Sequence, residues 1–395
     1  MTIVAGLDTG SAATRCVVFA LEDAKVRFLG AGEAPAAGWF KGRVADQDRL
    51  TASILAVVKE ASHQAQVQLE SVVVGVGGPP VYGFNHHWPY QFGRPREVDA
   101  GDLRFAVEKA ADVNLESDRM ILHVCPQDFT VDGRARHHFP RGATCTRLEA
   151  NVHLVTTSTI ETQAIVSAVH RAHLAVDETV FEPLASAYAA VLQDDRSRGV
   201  TLIDIGAHST DIVVYDGDAL IHSRSLPICG EHFTKDVAWG FTMAFEDAEA
   251  VKCEYGCALL GLTSDNSLIV VPTAEGREPV EAPRRRLTEI LEARAEELFL
   301  YVEAELRYCG MEQSLIEGVV LTGGGSMLTG MCDMAERVLN CQARKGLTVG
   351  VKDFPEECDN PRWTAAAGLA MYAARLRHKN RKRKRAPGLL GLVLR

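Results

Sequence analysis

Apolar runs broken by glycine turns organise this chain. Residues 2–8, TIVAGLD, are apolar up to a terminal carboxylate; the turn TGSA follows, and residues 14–21, TRCVVFAL, are apolar again, which predicts a β-hairpin. Residues 48–65 carry helical periodicity, and 71–76, SVVVGV, predict a strand that stops at Gly77–Gly78–Pro79–Pro80. A helix over 161–173, a strand over 178–182 and an Ala-rich helix over 184–193 follow. Residues 200–217, VTLIDIGAHSTDIVVYDG, then repeat the opening unit: an apolar run, Asp204, a glycine turn, Thr210–Asp211 and a second apolar run. Asp8 and Asp204 hold equivalent places, so the pattern implies two related α/β halves, each opening on a hairpin. The strongest helix is 285–309, where Leu287, Ile290, Leu291, Leu298, Val302 and Leu306 recur at helical spacing against an acidic opposite face. A strand over 318–321, the turn TGGGS, a helix over 328–338 and a last helix over 365–376 complete the series.

Between about Val81 and Val155 the texture changes to aromatic, His, Pro and Arg, as in YGFNHHWPYQFGRPRE, with a helix over 99–113 and strands over 121–124 and 128–131. This stretch reads as an inserted subdomain. Its Trp88, Tyr90, Phe92, Arg94 and Arg96 are residue types enriched at protein interfaces; the alternative is that the aromatics form the subdomain's own core.

A chain of 395 residues with 47% hydrophobic and 24% charged residues is a globular protein of two or three domains, and disorder as its main state is excluded. No apolar run approaches the ~20 residues of a membrane-spanning helix. No basic residue precedes the first apolar run, so a secretory signal is not expected. Ten cysteines without a CxxC pair then predict reduced thiols. Cys253/Cys257 and His170/His173 each lack a second pair to complete a zinc site. The net charge of −10 hides an asymmetry: Arg375–Arg395 hold nine Lys/Arg and no Asp/Glu, and the rest of the chain carries −19. An acidic body argues against nucleic acid, and a basic tail suits an anionic surface.

The candidate chemistry lies in three glycine turns that each follow a strand: 8-DTGSAAT-14, 204-DIGAHST-210 and 322-TGGGSM-327. Glycine lets backbone N–H groups reach an anion, and successive N–H groups form an anion nest. Asp8 and Asp204 do not bind phosphate directly, but they can hold Mg²⁺ through its waters. Each turn alone is a weak signal. Their order, Asp-x-Gly hairpin twice and then TGGGS, resembles the phosphate 1, phosphate 2 and adenosine series of the actin/Hsp70/sugar-kinase superfamily. The helices 181-FEPLASAYAAV-191 and 364-TAAAGLAMYA-373 resemble its two connecting helices. A Walker P-loop is absent. Within the superfamily, 121-ILHVCPQDFTVDGR-134, 147-RLEANVHLVTTST-159, 181-FEPLASAYAAVL-192 and 286-RLTEILEARAEELF-299 resemble the bacterial cell-division family FtsA, along residues 2–376.

That resemblance implies an α/β, actin-like two-domain ATPase fold of duplicated ribonuclease-H-like halves, with an inserted 1C-type subdomain. It divides the chain into 1–82 (1A, phosphate 1), 83–160 (1C), 161–196 (rest of 1A), 197–229 (2A, phosphate 2), 230–315 (2B), 316–357 (2A, adenosine loop), 358–378 (return helix) and 379–395 (tail). It implies ATP and Mg²⁺ as ligands. Asp8, Gly10 and Ser11 match phosphate 1, and Arg15 falls where actin has a lysine on the terminal phosphates. Asp204, Gly206, Ser209 and Thr210 match phosphate 2, and Gly323, Gly324 and Gly325 match the adenosine loop. Glu249 and Lys252 would clasp ribose and adenine, or form a surface i,i+3 ion pair. Glu182 would position the attacking water, or start the helix that Pro183 follows. The implied partners are the C-terminal peptide of the tubulin homologue FtsZ, with Arg284, Arg285 and Arg286 as candidate contacts, other division proteins, and the chain itself in filaments built through 1C. The implied place is the cytoplasmic face of the plasma membrane at the division site, held peripherally, with weak ATPase activity at most.

Departures from that pattern are His208, where glycine is more usual in phosphate 2, the GPPVYGFNHHW stretch at the edge of the insert, and a nearly absent linker before the tail. Two other readings share the signal: a pilus-assembly scaffold like PilM, and a sugar kinase, which needs an acidic base and a sugar pocket. The tail stands without family knowledge. KNRKRKR (379–385), including Lys382, Arg383, Lys384 and Arg385, precedes APGLLGLVLR, in which Leu389, Leu390, Leu392, Val393 and Leu394 can enter a lipid interface. A nucleic-acid-binding run and a tail docked on its own protein are the alternatives.

Overall fold

The computed structural model describes residues 2–22, 25–272, 278–311 and 314–385; the side chains of 135, 136 and 380–385 lie outside it. Its first half begins with β1 (Thr2–Thr9), β2 (Ala13–Glu22) and β3 (Lys25–Pro35), then β4 (Trp39–Phe40), β5 (Arg43–Val44), α1 (Gln47–Ala65) and β6 (Ser71–Val76). The insert supplies β7 (Tyr82–Glu97), α2 (Ala100–Ala110), β8 (Arg119–Val131), β9 (Arg134–His137) and β10 (Thr144–Ser158). The chain returns through α3 (Thr159–Arg171), β11 (Ala175–Phe181), α4 (Glu182–Ala190) and α5 (Gln193–Ser197). The second half holds β12 (Val200–Ile205), β13 (Thr210–Asp216), β14 (Ala219–Leu226), α6 (Gly230–Phe241), α7 (Phe245–Tyr255), β15 (Leu268–Val271), β16 (Val280–Pro283) and α8 (Arg284–Tyr308). It continues with β17 (Val319–Thr322), α9 (Met331–Leu339) and β18 (Ala343–Lys345); β19 (Val351–Lys352) and α10 (Thr364–Arg385) rejoin the first half.

The duplication is visible in strand order. The first sheet runs β11-β6-β1-β2-β3-β19 and the second β14-β13-β12-β17-β18. Each is a three-stranded antiparallel meander extended by parallel strands on the far side of its first strand, and the first sheet also takes β19 in parallel at the outer edge of β3. The third strand of each meander, β3 or β14, was not foreseen from the hairpin patterns. Register places Asp8 opposite Arg15 and Asp204 opposite Asp211, so the repeat is exact in position and different in charge.

Two helices lock the halves together. Small residues let α10 cross β1 and α4 closely: a Cβ at Gly6 would fall 2.3 Å from the Ala370 nitrogen, and one at Gly368 would fall 1.9 Å from the Ala185 oxygen. A shared core then forms beneath the cleft, with Phe181 from the end of β11 and Leu184 and Ala187 from α4 against Leu202 and Val213 of the second half. Helix α10 runs to Arg385, nine residues beyond the predicted end at Leu376. KNRKRKR therefore continues the helix that packs on the first sheet, because Lys and Arg are good helix formers and no Gly or Pro falls between Leu376 and Pro387. Leu389, Leu390, Leu392, Val393 and Leu394 lie outside the described residues.

The insert is a four-stranded sheet, β7-β10-β8-β9, backed by α2. The aromatic stretch forms one long strand where no strand was expected. Phe84, His86, Trp88, Tyr90 and Phe92 alternate onto its half-buried face, and Trp88 and Tyr90 both pack on Phe105 of α2. These rings cover the insert's own core, the second of the two readings of the aromatics, and do not stand out as an exposed patch. Arg96 likewise pairs with Asp102 and lies over Phe92, leaving Arg94 exposed. The two predicted strands over 121–131 form a single strand, since Cys125 and Pro126 stay paired with β10 and Gln127 is accommodated as a bulge. The sheet also docks on β14 of the second half: Asn85 Nδ2 donates to the Ile221 oxygen at 3.0 Å, and His153 Nε2 lies 2.8 Å from Ser223 Oγ.

Candidate functional site

The two hairpin turns and the loop after β6 face one another across a cleft of about 540 Å³, part of it open solvent. Asp8, one residue before the end of β1, is buried, and burial pushes its carboxyl up to about 6 against the lowering pull of Arg15. Asp204, one residue before the end of β12, accepts from Ser186 Oγ of α4 at 3.0 Å; burial raises its pKa. Gly10 and Gly206 close their turns so tightly that a Cβ would lie 2.9 Å from the Ala13 oxygen and 3.0 Å from the Ser209 oxygen. The second turn is braced by the start of α6, where Gly230 N–H donates to Gly206 and Glu231 N–H to Ala207, both at 2.9 Å. Ser11 and Ser209 line the cleft, and Thr210 is buried at the foot of its turn.

Asp211 was not singled out from the sequence. It is buried, burial pushes it up to about 6, and its Oδ2 accepts from Gly78 N–H and Ser209 Oγ, both at 3.1 Å. The Gly78 contact ties the first half to the second hairpin, and Gly78 (φ +80°) holds a backbone conformation that suits glycine. The signal was present: Asp211 stands opposite Asp204 as Arg15 stands opposite Asp8.

Glu182 begins α4, yet Phe181 is the N-cap residue and the helix has no side-chain cap. The Glu182 carboxyl instead fills the space beside two glycines, where a Cβ at Gly75 or Gly77 would lie 2.6 Å from one of its oxygens. Burial raises its pKa well above the usual range, and Asp8, Asp211 and Asp204 add to the shift. These four carboxyls disfavour one another's ionisation, so the cleft is primed for a cation. Among the described residues no cluster of three His, Cys, Asp or Glu groups forms a direct metal cage.

Arg15 lies beside Asp8 but pairs with Glu33 at 2.6 Å and sits over the Trp363 ring. At the third turn, Gly323 (φ +78°) and Gly325 are glycines for internal reasons: a Cβ would lie 2.4 Å from Asp204 Oδ1 and from Ile205 Cγ2, respectively. Gly324 differs, since a Cβ there meets nothing nearer than Arg362 Cγ at 4.0 Å, so this backbone faces open space. Lys252 Nζ bonds Glu249 at 2.6 Å and Thr234 Oγ1 at 2.9 Å, and Thr234 also donates to Glu249. Thr234 is a partner the sequence did not reveal. Arg284 donates to the Tyr255 oxygen, Arg285 pairs with Asp265 and Glu289, and Arg286 donates to the Gly240 oxygen over the Phe241 ring. All three arginines therefore have internal partners.

Two meander-based sheets hinged over a shared core, with glycine turns and carboxyls facing a cleft, define an actin-like protein. Solved structures agree on the fold. The PilM–PilN type IV pilus biogenesis complex matches with TM-score 0.69 at 20% identity, over 94% of this chain and 98% of that one. MreB5 of Spiroplasma citri bound to AMPPNP matches with TM-score 0.56 at 12% identity, over 98% and 99%. At the sequence level, residues 201–368 match the family described as cell division protein FtsA, and residues 79–156 match the SHS2 domain inserted in FtsA. The chain is 34% identical to cell division protein FtsA of Pseudomonas aeruginosa over 94% of this chain and 89% of that one, and 32% identical to that of Escherichia coli over 94% and 90%. It belongs to the FtsA family of cell-division proteins. The pilus scaffold is a relative in fold.

Proposed function

We propose that the chain binds Mg²⁺-ATP in the cleft, polymerises, and tethers an FtsZ ring to the inner face of the plasma membrane through its basic and apolar tail. The observation that carries the nucleotide reading is the crowding of Asp8, Asp204, Asp211 and Glu182 between two glycine turns. Such a site suits an anion that arrives with a divalent cation, and Mg²⁺ keeps its waters, so carboxyls can hold it without touching it. Asp8 and Asp204 would hold the ion through water. Gly10, Ser11, Arg15, Gly206, Ser209 and Thr210 would contact the phosphates. The base would lie on Gly324 between Gly323 and Gly325, with Glu249 and Lys252 at the ribose. Glu182 would orient water for slow hydrolysis. The solved MreB5, bound to AMPPNP, shares the fold and supports this reading.

A fluorescent-nucleotide titration tests it. Asp204→Ala is expected to weaken Mg²⁺-ATP at least ~10-fold by removing one charged contact, and Gly324→Val to weaken it by placing a side chain where backbone must approach. Parental affinity in both variants would refute the site. FtsZ-peptide binding within 230–315 belongs to the same proposal, and titration of the peptide against an Arg284, Arg285 and Arg286 triple-alanine variant tests the arginines. Unchanged affinity would remove them from the peptide site. Residues 83–160, as a 1C-type subdomain, would make the contact between subunits.

A further inference from the structure

We propose that the contact between the insert and β14 is a clasp: it holds the two halves closed over the cleft and must open before the cleft exchanges its ligand. Its contacts run in order along β14, which belongs to the second half. Gln127 Nε2 of β8 donates to the Leu220 oxygen at 2.9 Å, and Asn85 Nδ2 of β7 donates to the Ile221 oxygen at 3.0 Å. His153 Nε2 of β10 lies 2.8 Å from Ser223 Oγ, and the Arg224 guanidinium lies over the Tyr82 ring of β7, 5.1 Å from its centre. The backbone on both sides is shaped for this contact. Ile221 has no partner on β13 and Gln127 has none on β10, so each is the extra residue of a β-bulge, a feature that re-aims the groups it carries. Gly83 permits the close approach: a Cβ there would fall 2.0 Å from Ser223 Oγ and 2.6 Å from His153 Nε2.

The polar groups form one oriented chain. Asn85 Oδ1 accepts from Gln127 Nε2 at 3.1 Å and lies 2.7 Å from His153 Nδ1. Nδ1 therefore carries the His153 proton, and Nε2 accepts from the Ser223 hydroxyl. His153 is fully buried, and burial pushes its pKa down to about 3, so the ring stays neutral. Ser223 is buried with it, while Asn85 is open to solvent. Water can replace Ser223 at Nε2 once the halves part, which makes the clasp releasable. It also stands apart from the joint. Leu184 and Ala187 of α4 pack on Leu202 of β12, and β14 lies two strands beyond β12, roughly 10 Å away at the usual strand spacing. Rotation of one half about that joint slides β14 past the insert and breaks these bonds. At the cleft the halves meet again, where Gly78 N–H donates to Asp211 Oδ2. Clasp and cleft are two ends of one rigid-body movement. That the cleft closes over a nucleotide rests on the reading above; the clasp rests on its contacts alone.

The test is amide hydrogen exchange of the full ligand-free chain and of its Ser223→Ala and Asn85→Asp variants, followed at Gly78. Ser223→Ala leaves His153 Nε2 without a partner only while the halves are closed. Asn85→Asp keeps the acceptor for His153 and Gln127 but sets an oxygen against the Ile221 oxygen. Exchange at Gly78, which belongs to neither contact, is expected to quicken about tenfold in Ser223→Ala, the effect of one unsatisfied buried acceptor. It is expected to quicken in Asn85→Asp as well, while the amides of β1 and β2 exchange as in the parent. Parental exchange at Gly78 in both variants would overturn the clasp. So would an equal acceleration in β1 and β2, which marks a general loss of stability. Release of a fluorescent ADP, measured in stopped flow, is expected to quicken by the same factor as Gly78 exchange. Unchanged release beside faster exchange would overturn the clasp's control of the cleft. Failure of the parent to bind that ADP would overturn the nucleotide reading, and the Gly78 result alone would then decide the clasp.

Discussion

Asp8 and Asp211 each titrate near 6 because burial disfavours their charged forms, which fixes the sign of their pH effect. A carboxyl raised above its ordinary 3.8 adds stability below that value, and the contribution is lost as pH climbs through about 6. The ligand-free protein should therefore lose stability between about pH 4 and pH 6 and remain strained above it. Asp211→Asn should raise the ligand-free melting temperature at pH 8 and leave it nearly unchanged at about pH 3, below the ordinary carboxyl value. The gain is bounded at roughly 3 kcal/mol, the equivalent of a two-unit shift. A stabilisation independent of pH would show that Asp211 is not strained. The same scale shows what the sequence made legible. Asp8, Asp204 and the three glycine turns stood out because strand, carboxylate and glycine are adjacent in the chain. Thr234 and Ser186 did not, because they reach the site only when separate elements fold together. Asp211 was hidden for another reason: its partner in the repeat is Arg15, so matching by residue type could not pair them.

Among the elements, strongly periodic segments were legible and weakly patterned ones were not. The predicted helix over 285–309 is α8, displaced by one residue at each end. Strand β7 went unseen because its repeat mixes aromatics with His, Pro and Gly, so alternation of polarity is faint although alternation of faces is regular. The third meander strands were missed because Arg and Glu in KVRFLGAGEAP and His and Ser in ALIHSRSL break their apolar runs. The crossing of α4 and α10 is the joint on which the cleft rests. Gly368→Ala places a methyl group against the Ala185 backbone, and overpacking of this kind costs about 1–3 kcal/mol or more. Urea denaturation should show that loss, and a variant as stable as the parent would mean that the helices separate without cost.

At the scale of the whole molecule, the halves are joined by α4, α10 and the insert, which belongs to the first half yet bonds β14 of the second. Among the described residues no helix is long and apolar enough to cross a membrane. Under the proposal above, attachment comes from the basic run and the apolar residues after it. Each basic residue near an anionic leaflet contributes about 1 kcal/mol, and the partly buried leucines add to that. Removing 386–395 should release the protein from anionic vesicles in flotation while nucleotide affinity is kept, and undiminished flotation would mean that the apolar end is not the anchor. The central claim, ATP-dependent assembly on a membrane, is tested most directly by electron microscopy of the protein on an anionic lipid monolayer. The account predicts filaments with Mg²⁺-ATP, and none with Asp204→Ala or after deletion of 83–160. A bare monolayer with Mg²⁺-ATP, or equal filaments from all three proteins, would contradict it.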